Sequence, residues 1–100
     1  MESKRQHKYG RQIQKDLGEI FQKDVKHFFG DNLVSVTGVI VAVDLSLARV
    51  YFSVFPVANA DQVMENLNNK KGEIRKKLGN RIAKQVRKIP ELAFFKDNTE

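Results

Sequence analysis

The segment of residues 70–90, KKGEIRKKLGNRIAKQVRKIP, constrains this chain most, because it is both amphipathic and strongly basic. It holds nine of the eighteen Lys and Arg residues and a single acidic residue. Its apolar residues recur every three or four positions, the period of one helix face: Ile74, Leu78, Ile82, Val86 and Ile89. A cationic stripe lies beside them on the helical wheel: Lys77, Arg81, Lys84 and Lys88. Because Pro90 has no N–H to donate, the predicted helix ends at Ile89.

The size and composition indicate one soluble domain. One hundred residues bury a single modest core, and we expect one domain over residues 1–100 with flexible ends near 1–4 and 97–100. The absence of cysteine excludes disulfides and thiolate metal sites. No apolar run approaches the roughly 20 residues that span a bilayer. The first fifteen residues are mostly polar and basic, unlike a secretory leader, so we expect a cytoplasmic protein.

The positive charge falls into two blocks. The net charge is +6; residues 1–15 hold five cations, residues 70–88 hold nine, and the fifty-four residues between hold three. Such a balance favours an acidic partner, which can be nucleic acid, an anionic membrane surface or an acidic protein. The first block also has helical spacing, with steps of four, three and four residues between its members: Lys4, Lys8, Arg11 and Lys15. The pattern predicts a binding face on helices.

The other segments predict an α+β domain in the order α-β-β-α-α-β. Three amphipathic helices would pack on one face of a three-stranded sheet and bury its apolar side. The predicted elements are a helix over residues 5–29, strands over 33–43 and 49–55, a short helix with Asn59 as its N-cap, a kink over 68–72, the basic helix to Ile89, and a strand over 91–96.

Several phrases of the sequence resemble one family. They are Asp44-Leu45 with Ala48 and Val50-Tyr51, then Ile74-Arg75 and Leu78-Gly79, then Pro90-Glu91-Leu92 with Phe94-Phe95-Lys96-Asp97. Together they resemble the ribosome-binding factor A family, over nearly the whole chain, and the element order resembles a type II KH domain. At the kink that family has Ala-x-Gly, and this chain has Lys70-Lys71-Gly72.

The resemblance implies a function that charge alone does not give. It implies a bacterial accessory factor that binds the free 30S ribosomal subunit and assists late maturation of 16S rRNA near its 5′ end, notably in the cold. It also implies a type II KH-like fold with a kink between the second and third helices. We expect a monomer whose partners are the 30S subunit and 16S rRNA. We expect no cofactor, metal, membrane or small-molecule substrate.

The candidate RNA-binding residues come from the two basic blocks and the kink. Local acids that would pair at i,i+4 spacing are missing from the cationic stripe, which favours contact with phosphates. Gly72 is expected to have a positive φ and to let a phosphate approach the next helix N-terminus. The candidates are Lys70, Lys71, Gly72, Lys76, Lys77, Arg81, Lys84, Arg87 and Lys88 with Lys4, Lys8, Arg11 and Lys15. Arg75 falls toward the apolar side and is interpreted as a residue at the edge of the core.

Two alternatives were weighed. Most aromatic residues lie at strand or helix spacing that indicates the core, and Tyr51 and Phe55, opposite Phe52 on their strand, are the best candidates for stacking on bases. Catalysis has little support, because His7 and His27 are far apart in sequence and no nucleophile, P-loop or metal-binding spacing is present. The sequence therefore predicts a non-enzymatic RNA-binding domain. The rival hypothesis is an interaction domain that docks an acidic protein or an anionic membrane.

Overall fold

The computed structural model describes residues 3–86 and 88–97. Three α-helices and three β-strands follow one another in the predicted order α-β-β-α-α-β, which confirms the α+β class. They are α1 (Lys4–Glu19), β1 (Leu33–Val41), β2 (Leu47–Phe55), α2 (Ala60–Asn69), α3 (Lys71–Ile82) and β3 (Glu91–Lys96). None of the helices in the described ranges is long and apolar enough to cross a membrane.

The strands form one mixed sheet in the order β1-β2-β3. Strands β1 and β2 make the predicted antiparallel hairpin, and β2 and β3 run parallel, with α2 and α3 in the crossover between them. A bulge interrupts β1, because the register shifts between Val36 and Gly38 and leaves Thr37 without a partner across the ladder. Gly38 was interpreted from the sequence as a bulge or bend, and the structure confirms a bulge at that point.

The helices cover one face of the sheet and leave the other face open. Period-two alternation places one set of side chains of β2 and β3 in the core, and the helices contribute residues at three- and four-residue spacing. Burial of each such aliphatic or aromatic side chain contributes about 1.5–3 kcal/mol. The fully buried side chains include Val50, Phe52, Leu17, Val63, Leu67, Ile74, Leu78 and Ile82.

Helix α1 lies against the free edge of β1. A Cβ atom at the buried Gly10 would be 3.0 Å from the carbonyl oxygen of Val39, so glycine permits this close approach. Four residues earlier, the side-chain amide of Gln6 donates to the carbonyl oxygen of Val41 at 2.9 Å. Gln6 also forms a capping box with Ser3, whose hydroxyl accepts from the Gln6 backbone N–H. Helix α1 thus protects an edge that would otherwise expose strand carbonyls.

The predicted first helix over residues 5–29 is interrupted in the structure. The regular helix ends at Glu19, a π-helical turn covers Ile20–Asp24, and a 3-10 turn covers Lys26–Phe28. The N–H of Val25 donates to the carbonyl oxygen of Ile20, which is the longer π spacing. Sequence periodicity did not show this change, because Phe21 within the π-helical turn and Val25 just after it are both buried.

The prediction that the basic helix continues to Ile89 is wrong. Helix α3 ends at Ile82, residues 83–85 form a turn, and residues 86 and 88–90 have no regular secondary structure. We call residues 83–86 and 88–90 the connector. A Cβ atom at Gly79 would be 3.4 Å from the Ile89 side chain. Ten residues of α-helix would separate these positions by about 15 Å, so the chain has to fold back. The apolar spacing of Val86 and Ile89 persists because the connector packs against the same core.

The predicted kink lies at Lys70, where the backbone leaves helical values (φ −108°, ψ 14°) between α2 and α3. The expectation of a positive φ at Gly72 is wrong, because Gly72 is the second residue of α3 and its φ is not positive. No heavy atom outside its own helix lies within 4 Å of a Cβ built there. Asn59 occupies the N-cap position of α2 as predicted, but its side chain donates to Asn32 instead of capping the helix.

Arg81 joins α3 to α1 and to the π-helical turn that follows it, through three carboxylates. Its guanidinium lies 2.9 Å from the Glu19 carboxylate, 3.7 Å from that of Asp16 and 4.0 Å from that of Asp24. The hydrogen bond from Arg81 is the main cause that lowers the pKa of Glu19, and the same bond raises the pKa of Arg81. The counter-charges that the sequence of α3 lacks are therefore supplied by another helix.

A glycine pair in α1 tests the close approach to β1. Gly18→Ala should raise the free energy of unfolding by about 0.5–1 kcal/mol, because Gly18 has open space and alanine favours helix. Gly10→Ala should lower the stability despite the same gain in helix propensity, since the new methyl group crowds the Val39 carbonyl. Urea denaturation of both variants measures the difference. Equal stabilisation by both substitutions would contradict the close approach.

The Arg81 cluster predicts a pH-dependent change in stability. The folded pKa of Glu19 is lowered, so its contribution is present above its ordinary pKa of 4.5 and is lost as the pH falls through the folded value. Arg81→Gln should therefore destabilise the protein most near neutral pH, and the difference from the parent should narrow below about pH 4.5. Denaturant midpoints of the variant and the parent at pH 7 and pH 3.5 measure this loss of stability. The same difference between the two proteins at both pH values would show that the charge of Arg81 is unimportant.

Candidate nucleic-acid interface

The outer side of α1 is an exposed cationic surface. Among the described residues, the four cations of this predicted stripe are exposed and take part in no ion pair: Lys4, Lys8, Arg11 and Lys15. They line a shallow depression of about 520 Å³ together with His7 and Gln12. We call these four residues the α1 face. Cations that are not neutralised within the protein remain available to phosphates.

A groove extends the α1 face toward the connector. Its volume is about 640 Å³, and residues of α1 line it opposite Gln85 of the connector. Inside it the Arg5 guanidinium lies over the Tyr9 ring, 5.6 Å from the ring centroid. Lys84, which precedes Gln85 in the chain, is exposed. The two basic blocks of the sequence therefore meet through the connector and not along one continuous helix.

Lys88 lies at the other end of the connector, near the turn of the β1–β2 hairpin. It lines a small cleft with Tyr9 and Leu45. Asp44 accepts hydrogen bonds from the hydroxyl of Ser46 at 2.6 Å and from its backbone N–H at 3.0 Å, as expected for a side chain that closes its own turn. These bonds are the main causes that lower the pKa of Asp44, and the charge of Lys88 contributes less.

The remaining candidates lie toward the N-terminal end of α3. Lys70 and Gly72 are exposed at the junction of α2 and α3, and the Lys70 ammonium lies over the Phe28 ring, 5.6 Å from its centroid. Because α3 has twelve residues, this end lies about 18 Å from the connector. Lys71, Lys76 and Lys77 complete the group, with Lys76 exposed and the other two half-buried. Arg87 lies outside the described residues.

The arginines of α3 serve the fold. Arg75 donates to the carbonyl oxygens of Pro90 at 3.0 Å and Ile89 at 2.6 Å, so it holds the connector against α3. This placement agrees with its interpretation as a residue at the edge of the core. Arg81 was grouped with the lysines of the stripe, but its guanidinium faces the carboxylates of Asp16 and Glu19. The lack of local acids was misleading, because the partners lie about sixty residues away in sequence.

Some aromatic side chains lie on the open face of the sheet and not in the core. Phe52 and Phe94 are buried as expected, whereas Phe55 is 70% exposed and Phe95 is 41% exposed. The rings of Tyr51 and Phe95 stack at 5.4 Å with 27° between their planes. Tyr51 and Phe55, proposed from the sequence as exceptions among the aromatics, do lie on this face.

Sequence reasoning missed one concave site beside the α1 face. A depression of about 400 Å³ lies at the β1 bulge, where Arg11 of α1 meets Gly38 of β1 and Tyr51 of β2. The alternation of β2 placed Tyr51 on the open face, and Gly38 indicated the bulge, but neither signal predicts that Arg11 comes near both. The packing of α1 across the β1 edge brings them together.

The described residues show no metal centre. No group of three or more His, Cys, Asp or Glu side chains in residues 3–86 and 88–97 is arranged to hold a metal ion. His27 packs edge-on against Phe28, with ring centroids 4.5 Å apart. His7 lies beside the α1 face and lines both of its neighbouring depressions. The arrangement offers chemistry for binding anions and aromatic groups.

Comparisons with known proteins point to one family. A sequence profile described as ribosome-binding factor A matches residues 5–100. Ribosome-binding factor A of Flavobacterium psychrophilum is 43% identical over 100 residues, which cover 99% of this chain and 77% of that protein.

Two solved structures share the fold. The crystal structure of ribosome-binding factor A from Thermus thermophilus aligns with a TM-score of 0.77 at 21% identity, covering 91% of this chain and 94% of that one. A homology model of Thermus thermophilus ribosome-binding factor A, fitted into the cryo-electron microscopy map of a 30S complex, gives a TM-score of 0.67 at 23% identity, covering 86% of this chain and 88% of that one. The structures show the shared fold, and the profile and the sequence identity establish the family that the motifs predicted: this chain belongs to the ribosome-binding factor A family.

Proposed function

We propose that this protein binds the free 30S subunit through phosphates of 16S rRNA and assists late maturation of that RNA near its 5′ end, notably in the cold. The single observation that carries the binding mode is the α1 face, whose cations are exposed and take part in no ion pair in the described residues. The family's description supports the ribosomal partner. The Thermus thermophilus relative in a 30S complex supports the choice of subunit.

Some cations are exposed and others are paired within the fold, and this difference suggests which residues contact the RNA. Lys4 and Lys8 line both the groove and the depression of the α1 face, and Lys88 lines a cleft that shares Tyr9 with the groove. Lys84 precedes Gln85, which lines the groove from the connector. A phosphate backbone that runs along the α1 face toward the connector would meet these cations in turn. The lysines at the start of α3 form a separate group, with the α3 N-terminus beside them. Arg81 is excluded from the proposed contact surface, since releasing it to a phosphate would leave three carboxylates without their partner.

The proposal describes one domain over residues 1–100 that acts as a monomer in the cytoplasm, as a binding factor and not as an enzyme. Phosphate contacts position a protein on RNA without reading sequence, so shape and the accessibility of the rRNA would select the particle. Subunit joining or completed folding of the rRNA would remove that accessible shape. This gives a physical reason for preference for the free subunit.

Selectivity among ribosomal particles tests the partner. Equal concentrations of free 30S subunits, 50S subunits and 70S ribosomes should carry different amounts of protein through a sucrose cushion, with the free 30S subunit carrying the most. The large subunit serves as a control for attraction to any polyanion. Equal sedimentation with all three particles would contradict the proposal and favour the rival hypothesis of a general anion-docking domain.

Charge removal tests the α1 face. Replacing Lys8, Arg11 and Lys15 by Gln should weaken 30S binding at least about tenfold near 0.15 M salt. It should also lower the slope of log K against log salt by roughly 2–3, because each phosphate contact contributes roughly 0.7–0.9. Thermal stability should change little, since exposed substitutions usually cost within about 0.5 kcal/mol.

The matched control removes three other exposed cations, Lys23, Lys26 and Arg49, by the same change to Gln. It has the same net charge but leaves the α1 face intact. Filter binding over a range of salt concentrations compares the two variants. If the control weakens binding as much as the α1 variant, net charge drives association and the assigned surface is wrong.

A further inference from the structure

The depression at the β1 bulge has the dimensions and position of a ligand site. Its volume of about 400 Å³ falls within the range of roughly 300–1,000 Å³ found for small-ligand sites. It lies where α1 crosses the edge of the sheet, so its rim belongs to the α1 face and its floor belongs to the open face of the sheet. Arg11 is on the rim, and Gly38 and Tyr51 are on the floor.

Tyr51 lines this depression. Gly38, Tyr51 and Phe95 lie in one row across the three strands. Phe95 stacks against Tyr51 from the β3 side, which leaves the opposite ring face toward Gly38. Glycine has no side chain, and no heavy atom lies within 4 Å of a Cβ built at Gly38. No side chain therefore fills the space beside Gly38, so a planar group can approach Tyr51 from this side.

The bulge that forms the floor is held in place. Thr37 has no pairing partner on β2, because the register shifts at this residue. Its hydroxyl donates to the Asp97 carboxylate at 2.6 Å. The backbone N–H of Asp97 donates to the carbonyl oxygen of Phe52 at 2.7 Å. The end of β3 thus fastens the bulge across the sheet. A fixed site loses less freedom on binding, which favours a ligand of matching shape.

The charged groups that line the depression differ in their engagement, because the Asp97 carboxylate accepts from Thr37 and the Arg11 guanidinium is in no ion pair in the described ranges. Arg11 lines both this depression and that of the α1 face, and it is exposed. An aromatic ring that a planar group can approach, next to a cation that continues a phosphate-binding surface, fits a nucleotide whose base is unstacked. A base inside a duplex cannot present its face in this way. The two features are independent, because one belongs to the sheet and the other to α1.

We propose that the depression at the β1 bulge binds one unpaired nucleobase of RNA, which stacks on Tyr51 while its phosphate meets Arg11. This inference rests on the proposed function, in which the α1 face follows the rRNA backbone. It adds a preference for a segment that has an unpaired nucleotide beside the phosphates in contact.

Tyrosine fluorescence gives a direct readout of the ring. The chain has no tryptophan and two tyrosines, so Tyr9→Phe leaves Tyr51 as the sole fluorophore of its kind. Titration of this variant with hexaadenylate should quench the emission, because a stacked base contacts the ring. An RNA duplex with six base pairs, whose bases are already stacked, should quench it much less at the same nucleotide concentration.

A blocking variant and a matched control locate the effect. Gly38→Val, made in the Tyr9→Phe protein, places a side chain in the open space beside Tyr51 at a strand position that a β-branched residue tolerates. It should weaken hexaadenylate binding by about 5- to 150-fold, the loss expected from one stacked base. Ser35→Val adds the same side chain to the same sheet face, opposite Ser53 and away from Tyr51, and should leave binding unchanged.

The outcomes separate this inference from the proposed function. Equal quenching by single strand and duplex, no quenching by either RNA, or quenching that survives Gly38→Val would overturn the nucleobase site, while selective sedimentation with 30S subunits would leave the proposed function standing. Quenching that follows the expected pattern without selective sedimentation would overturn the proposed function and retain the base site. If Gly38→Val does not fold, Tyr51→Leu with fluorescently labelled hexaadenylate replaces it, and unchanged affinity overturns the site.

Discussion

The packing of α1 across the edge of β1 is the contact on which the rest of the structure depends. Gly10 allows the helix to approach the strand, and Gln6 satisfies the carbonyl of Val41 that the strand exposes at its edge. With the axis of α1 set in this way, its inner side enters the core and its outer side carries cations. Its C-terminal half brings Asp16 and Glu19 to Arg81 of α3. One helix therefore covers an edge, anchors another helix and presents the candidate binding surface.

Arginine and lysine have different roles in this chain. The planar guanidinium groups of Arg75 and Arg81 each serve several acceptors at once, which suits a residue that holds elements together. Most of the lysines of the two basic blocks are exposed, and a flexible ammonium group can follow an irregular phosphate backbone. Some cations of a basic segment are therefore paired within the fold. The number of cations available to a ligand is known only when these tertiary partners are known. Arg5, Arg11 and Arg49 are exposed and do not follow this division, and Arg11 belongs to the α1 face.

Local patterns in the sequence predicted most of the fold. The alternation and β-branched runs gave both strands of the hairpin to within two residues, and the last strand over residues 91–96 was correct at both ends. The motif Ser3-x-x-Gln6 was an available signal for the capping box and was not used. The extension of α3 to Ile89 failed because helix and connector bury their apolar residues on the same core, so periodicity alone did not mark the end.

The candidate site was less predictable, since it depends on contacts between distant segments. The stripe of Lys4, Lys8, Arg11 and Lys15 was predicted from spacing within one helix and lies exposed on α1 as expected. The role of Arg81 and the neighbours of Tyr51 depend on tertiary packing, which no i,i+4 or period-two rule contains.

Lysine reactivity tests most directly the central claim that the α1 face contacts the 30S subunit. The protein is acetylated free and bound to 30S subunits, and mass spectrometry compares the acetylation of each lysine. The account predicts protection of Lys4, Lys8, Lys15, Lys84 and Lys88 with Lys23 and Lys26 unchanged, and equal protection of both groups would contradict it.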